Sequence, residues 1–382
     1  MVELADIVCQ AAPAYRRAFE ARILPSHRRA LEDICACRTP ELGGSLFACD
    51  AGCGHLDFAY HSCRNRHCPK CHRDDTRRWL EGLRGRLLPC PYYLATFTLP
   101  AELRALARSH QRIVYDLLLR EAAAALQTLA DDPRWVGATL GILAVLHTWA
   151  RDLSYHPHVH LLVTAGGLTP DGEAWRKPAH RRWLVPGYCL GPIFRAKVRD
   201  GLDRAGLLAG LDPSIFRKPW AVHLQHAGDG QHAAEYLSRY VHRVALTNER
   251  IERFDGERVT FRYVCSRTHE TRRLTLPVHA FLARFLQHVL PKGFHKIRAY
   301  GLLSPAATRS RERARKLLAR EHAALQAARG ESPSPSTPQP SPRPRRLCPS
   351  CRRGHLERVR SWHTPSPELG AVLSATCRAP PP

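Results

Sequence analysis

The run Tyr155-His156-Pro157-His158-Val159-His160 sets three imidazoles at alternate positions and passes directly into the apolar stretch Leu161-Leu162-Val163. Alternate residues of a β-strand share a face, so His158 and His160 project together and can ligate one metal ion. Further along lies Tyr236-Leu237-Ser238-Arg239-Tyr240, a helix-favouring stretch in which the i, i+4 spacing stacks both phenols on one side. A tyrosine hydroxyl, with a free pKa of about 10, is a weak nucleophile at neutral pH. It needs a neighbouring metal that polarises a phosphate and stabilises charge on its oxygens. Paired histidines with paired tyrosines are thus the equipment for cutting a phosphodiester through a tyrosine. Taken singly, a strand histidine or a helix tyrosine is ordinary packing, and it is the combination on a basic chain that carries weight.

The candidate third metal ligand is His147, because the stretch ending at Trp149 should pair across a hairpin with the His158 strand. Asp152, Gln225 and Gln231 are the rivals, and a His147 that merely hydrogen-bonds within the sheet is an equal reading. His156, beside Pro157 at the strand entry, is read as orienting its neighbours. Imidazoles by themselves suit zinc or another transition metal.

A second chemistry sits near the start. Cys49-x3-Cys53 followed by Cys68-x2-Cys71 has the form of a zinc ribbon, two knuckles closing four thiolates on a tetrahedral ion. Cys37 and Cys63, with His27 and His67, are left over for a second site. A four-thiolate site has no open coordination position, so this Zn²⁺ reads as structural. Arg64, Arg66 and Lys70 between the ligands offer phosphate contacts. Cys348-x2-Cys351, with Cys377 far behind, resembles half a knuckle lacking a second pair.

Around these residues the chain divides into four stretches. Residues 1–85 read as the zinc-binding, DNA-recognition domain, helical over 13–34. Residues 90–300 read as an α+β domain: an antiparallel sheet with packed helices, whose strands are expected at 91–100, 140–149, 158–163, 220–224, 257–264 and 271–276. Helices are expected at 101–130, 188–209, 231–246 and 278–290. Residues 301–329 read as a basic helix, and 330–382, rich in Pro, Ser and Arg, as a disordered tail.

Composition narrows the partners. The 382 residues carry 58 Lys and Arg against 34 Asp and Glu, a net charge of +24 with a pI near 10.1, which suits a polyanion. No apolar run approaches the roughly 20 residues that span a bilayer, and the start lacks a secretory pattern, so a cytoplasmic chain without a membrane partner is expected. Fourteen cysteines in a reducing compartment point to metal ligands and buried thiols. No GxxxxGK loop is present, so ATP is not expected to drive the chemistry. Arg195, Lys197, Arg239, Arg243, Lys292, Lys296 and Arg298 are candidates for an electrostatic groove, with Trp149, Trp183 and Tyr300 as stacking surfaces for single-stranded DNA.

Phe97-Thr98-Leu99, His158-Val159-His160, Tyr236-x3-Tyr240, the block Ser62-Cys63-Arg64-Asn65-Arg66-His67-Cys68-Pro69-Lys70-Cys71, and Leu290-Pro291-Lys292-Gly293-Phe294 followed by Ile297-Arg298-x-Tyr300-Gly301 occur in one order. Over residues from about 20 to 305 this order resembles the two-tyrosine HUH transposases of rolling-circle bacterial insertion sequences, family ninety-one. Cys49-x3-Cys53 departs from the usual x2 knuckle by one residue. The resemblance implies an HUH endonuclease domain behind a zinc leader, with Mg²⁺ or Mn²⁺ at the histidines and Tyr236 and Tyr240 as nucleophiles. It further implies single-stranded DNA at insertion-sequence ends and target DNA as partners, in a bacterial, nucleoid-associated enzyme. A 5′-phosphotyrosine intermediate would retain the phosphodiester energy for strand transfer. A rolling-circle replication initiator or relaxase-type nickase, and a catalytically dead zinc DNA-binding regulator, are the alternatives.

Overall fold

The computed structural model describes residues 2–71, 82–83, 85–180, 182–229, 245–265, 268–328 and 345–363. At its centre is an antiparallel sheet in the order β11-β4-β5-β3-β7, made of β3 (Pro91–Thr98), β4 (Thr139–Trp149), β5 (Tyr155–Leu168), β7 (Val222–Asp229) and β11 (Ile297–Gly301). The two-residue β6 (Trp175–Arg176) hangs on β5. Both faces are covered, which is why β4 and β5 read as nearly continuous apolar runs and not as simple alternation.

The period of two still sorts their side chains. Phe97, Ile142, Ala144, Leu146, Val159 and Leu161 face α4 (Gln111–Ala130) and α5 (Gly187–Arg204) in the main core. Phe97 meets Phe194 of α5 edge to face, with ring centroids 4.9 Å apart. Tyr92, Leu94, Leu143, Val145 and Leu162 turn the other way, onto Leu87, Leu88 and α7 (Thr308–Ala328). The helix expected over 101–130 is instead a 3₁₀ turn, a short α3 (Arg104–Ser109) and α4, broken where His110 leaves helical geometry at φ −121°, ψ 46°.

A second core lies beyond the turn of the β4–β5 hairpin. There α1 (Leu4–Phe19) and α2 (Pro25–Ala36) pack with α6 (Val278–Leu286) and with the small sheet β8 (Ile251–Phe254), β9 (Arg258–Val264), β10 (Thr271–Pro277). The helical stretch expected over 13–34 is thus two helices, parted by a 3₁₀ turn at Glu20–Arg22 and restarted by Pro25, whose missing N–H costs nothing in a first helical turn. Among the described residues, buried side chains of the leader share this core with later parts of the chain. Ile7, Leu31 and Ile34 bury their side chains in company with Phe261, Phe281 and Phe285.

The chain's other end corrects a second expectation. Residues 345–363, read from composition as part of a disordered tail, carry β12 (Leu356–Trp362), which pairs antiparallel with β1 (Gly44–Cys49) from Gly44↔Trp362 to Cys49↔Leu356. With β2 (Leu56–Tyr60) they form a three-stranded sheet. A Pro- and Ser-rich stretch says nothing about a short strand beyond it that finds its partner some 300 residues away. The helix expected at 231–246 falls almost wholly outside the described residues, as do Tyr236 and Tyr240.

The hairpin turn ties the two cores together. Leu153, fully buried in the second core, sits at φ 63°, a conformation that costs a branched residue about 1 kcal/mol and is held by its surroundings. Its carbonyl accepts the Nε2–H of His288 at 3.1 Å, while Thr148 Oγ1 donates to His288 Nδ1 at 3.3 Å. Burial holds His288 neutral, its pKa down to about 4 despite that carbonyl and the charge of Asp152. In the unfolded chain it titrates near 6.5, so its neutral burial costs nothing above that pH and destabilises progressively as pH falls toward 4. Urea unfolding at pH 7 and pH 4.5 should show the chain less stable at the lower pH. His288→Gln should remove about 1 to 3 kcal/mol of that difference. An unchanged difference in the variant would exclude His288 as its source.

Candidate metal centres

The register of the central hairpin pairs His147 directly with His158 and Val145 with His160. His147, His158 and His160 therefore leave one face of two adjacent strands, and their ligand atoms all lie within 4.8 Å of one another. The rings stand roughly edge to face, with centroids 4.9 Å apart for His158 and His160, 4.9 Å for His147 and His160, and 5.4 Å for His147 and His158.

Each ring is oriented from outside the cluster. His158 Nδ1–H donates to the His156 carbonyl at 2.7 Å, which leaves Nε2 as the lone-pair nitrogen. His160 Nδ1 shares a hydrogen bond of 3.0 Å with Thr96 Oγ1 on β3. His147 stacks on Trp149, centroids 4.7 Å apart, and Trp149 in turn meets His288 at 6.0 Å. Burial pulls the pKa of His158 down to about 4, so at neutral pH it offers an uncharged nitrogen as a ligand must. Among the described residues no further His, Cys or carboxylate joins these three imidazoles, a donor set that leaves coordination positions open where a closed four-ligand structural site would not.

The rival ligands stand elsewhere. Asp152 is engaged in the turn, accepting from Ser154 N at 3.1 Å and Ser154 Oγ at 2.7 Å. Gln225 pairs with Leu94, farther down the sheet, and Gln231 lies outside the described residues. His156 accepts from Arg104 at 2.7 Å through Nδ1 and reaches the cluster only by way of its carbonyl.

The cysteines fall into two groups that differ from the ribbon read from spacing. Cys68 and Cys71 join Cys37 and Cys63, with Sγ separations of 3.4 Å for Cys37–Cys71 and 3.5 Å for Cys63–Cys71. Cys49 and Cys53 join Cys348 and Cys351. The reason is the intervening strand. β1 runs six residues, at about 3.3 Å of rise each, and carries Cys49 to the end of its sheet remote from Cys37. Cys37 caps α2, and the backbone next to it, Arg38, bonds His61 beside the Cys63–Cys71 loop. Zn–S bonds of about 2.3 Å in a tetrahedron set sulfurs about 3.8 Å apart, so the first group fits a structural Zn²⁺ with slight expansion. The Asn65 N–H also points at Cys63 Sγ at 3.4 Å. His67 stands outside both groups, its Nε2 accepting the Leu290 N–H at 3.3 Å, and His27 belongs to neither.

Several of the basic residues expected to meet phosphate are held by the protein itself. Arg66 donates to the Phe294 carbonyl and Lys70 pairs with Glu3 at 2.5 Å. Arg298 pairs with Asp116 at 2.5 Å, over the Phe294 ring. Arg195 donates to the Lys218 carbonyl at 2.7 Å. Burial, helped by the charge of Arg66, pulls Lys296 down to about 8. Arg64 and Lys292 are exposed, and Arg239 and Arg243 lie outside the described residues. Of the stacking candidates, Tyr300 packs against the main core and Trp149 against His147, while Trp183 lies between His180 and Trp135, centroids 4.4 and 5.5 Å away.

A basic α+β chain with thiolate clusters at one end and an imidazole cluster on its central sheet matches known families in those same parts. Residues 7–99 match the family described as a transposase zinc-binding domain, and residues 141–312 match the one described as a putative transposase. The class is therefore a zinc-binding transposase. A putative transposase, y4qJ, of Sinorhizobium fredii is 38% identical over 323 residues, covering 79% of this chain and 80% of the relative. The transposase for insertion sequence element IS801 of Pseudomonas savastanoi pv. phaseolicola is 32% identical over 291 residues, 71% of this chain and 68% of the relative. The chain belongs to the transposases of insertion-sequence family ninety-one. No solved structure matches it significantly. No helix among the described residues is long and apolar enough to cross a membrane.

Cys37 and Cys68 are each 1% exposed and belong to the second core, so metal at their cluster supports packing as well as the loop. Cys37→Ser combined with Cys68→Ser should lose one zinc per chain and at least about 2 kcal/mol of stability to urea. Metal analysis and unfolding curves check this, with the exposed Cys9→Ser as a control expected to change neither.

Proposed function

We propose that this transposase cuts single-stranded DNA at the ends of its element through a tyrosine nucleophile and rejoins it elsewhere, in a rolling-circle mode. The observation that carries the reading is the convergence of His147, His158 and His160 on one face of the central hairpin, with His158 Nδ1 taken by the His156 carbonyl so that Nε2 is the nitrogen left to bind. These three residues would hold a divalent ion, Mg²⁺ or Mn²⁺ by family resemblance, although an all-imidazole set equally suits a softer metal. When bound, such an ion supplies Lewis-acid polarisation of the scissile phosphate.

The chain's own groups do the rest. Tyr236 and Tyr240 follow β7 in sequence, and β7 pairs with β3, which pairs with the histidine strand β5. A phenolic oxygen gives up its proton and attacks the phosphorus in line, the bond to the 3′-oxygen breaks, and that oxygen takes up a proton in exchange, leaving a free 3′-hydroxyl. The 5′-phosphate stays esterified to tyrosine. One phosphodiester has been exchanged for another, so no ATP is needed, and a different 3′-hydroxyl can reverse the step on a new end. Two tyrosines let one hold the donor end while the other cuts a second strand. Exposed Arg64 and Lys292 remain available to the DNA backbone.

His158→Ala and His160→Ala should each lower formation of a covalent protein–DNA adduct by at least about 100-fold, while affinity for a single-stranded element end stays within about threefold. Denaturing gels with Mn²⁺ and fluorescence anisotropy separate the two quantities. Full cleavage by either variant would remove the histidines from the chemistry.

The tyrosines are tested by removing only the hydroxyl. Tyr236→Phe and Tyr240→Phe should each block complete transposition while at least one of them still forms the adduct, and the double variant should form none. Normal transposition by Tyr236→Phe would reduce the enzyme to a single-tyrosine mechanism.

A further inference from the structure

Beyond residues 7–99 and 141–312, where the family matches end, lies the pair Cys348 and Cys351. It faces Cys49 and Cys53, and the four sulfurs lie within 4.8 Å of one another. Cys49 Sγ is 3.6 Å from Cys351 Sγ and Cys53 Sγ is 3.7 Å from Cys348 Sγ. A disulfide would need about 2.05 Å, whereas a tetrahedral zinc thiolate needs about 3.8 Å between sulfurs. The geometry is that of four thiolates around an ion.

The backbone around the four is built as two facing knuckles. Asp50 N donates to the His355 carbonyl at 3.0 Å, and His355 N donates to Asp50 Oδ1 at 2.6 Å. Cys348 N donates to the Gly354 carbonyl at 2.8 Å, closing the second knuckle, and Gly354 N points at Cys351 Sγ at 3.5 Å. Gly354 is required by the contact: a Cβ there would fall 2.6 Å from Cys49 Sγ, from Asp50 Oδ1 and from the Ala51 side chain. Arg346 pairs with Asp57 at 2.6 Å alongside. Within the small cluster that these cysteines share with Leu356, Phe47 packs only partly buried, so apolar burial alone holds the segment weakly.

We infer that Cys49, Cys53, Cys348 and Cys351 bind a second zinc ion, separate from the one at Cys37, Cys63, Cys68 and Cys71, that joins the two ends of the chain. Its ligands Cys49 and Cys351 stand 302 positions apart. The ion closes the β12–β1 pairing at the Cys49↔Leu356 end and makes the segment 345–363 the third strand of the leader's sheet. The x3 knuckle Cys49–Cys53 is thus partnered by the x2 knuckle Cys348–Cys351 from elsewhere in the chain, and not by the neighbouring Cys68–Cys71 loop.

The test uses the full chain loaded with cobalt(II), whose sulfur-to-metal charge-transfer absorption reports thiolate sites and leaves a three-histidine site silent. Wild-type protein should titrate to two thiolate-bound equivalents, and Cys348→Ser with Cys351→Ser should halve that intensity. Retention of full intensity in the double variant would overturn the inference. Because that variant could lose its fold, Cys53→His serves as the second arm: the exposed Cys53 can be exchanged for another ligand without disturbing a core. It should keep two equivalents while shifting half of the spectrum toward that of a three-sulfur, one-nitrogen site. A spectrum identical to wild type would show that Cys53 binds no metal and would equally overturn the inference.

Discussion

The antiparallel pairing of β4 with β5 is the constraint on which the rest of the molecule turns. A one-residue slip would send His158 and His160 to the helix-covered face and put Val159 and Leu161 in their place. The register is held at the turn: Leu153 is forced into the left-handed region with its side chain buried among α1, α6 and β9, and its carbonyl is bonded by His288. From there a run of rings, His288 to Trp149 to His147, leads back to the imidazole cluster. The second core thus serves as an anchor for the turn of the histidine hairpin, and a leader that looks like a separate domain in sequence contributes directly to that anchor.

Metal ligation does for the leader what area alone cannot. Among the described residues, the sheet β12-β1-β2 buries only a small apolar cluster around Cys49, Cys348 and Leu356, and its strands are largely half-exposed. Thiolate clusters at either end of β1 compensate, because a bound ion adds free energy that exists only in the folded state. Cys37 and Cys68 also lie in the second core, so the first of those clusters links the leader to the anchor of the histidine hairpin.

The strong positive charge needs to be divided before it is read as a DNA-binding surface. Arg66, Arg298 and Arg195 spend their guanidinium groups on backbone carbonyls or on Asp116, where they knit the segment from Phe294 onward, α4 and α5 to their surroundings. Surface pairs such as Arg120 with Asp116 add little stability individually. What remains for a polyanion is the excess that finds no acid, since Lys and Arg outnumber Asp and Glu 58 to 34.

Local pattern was enough to read the α+β class, the histidine strand, its hairpin partner and the cysteine-rich leader, because each depends on a period of two, a turn or a short spacing carried within a few residues. It also sufficed for the family, through motifs that keep their order along the chain. Helix breaks at His110 and before Pro25 were less legible, since they answer to what the helices pack against and not to their own periodicity. The partition of the cysteines was beyond sequence altogether: Cys49-x3-Cys53 and Cys68-x2-Cys71 look like one ribbon until β1 is seen to separate them and β12 to deliver Cys348 and Cys351. The hairpin already made His147 the candidate partner of the His158 strand, and the register sets it opposite His158, whereas Arg66 is set against Phe294 only by the fold. Spacing along a chain encodes which groups can share one turn or one strand; which distant groups meet is decided by strand pairing and packing, where the contacts come from opposite ends of the molecule.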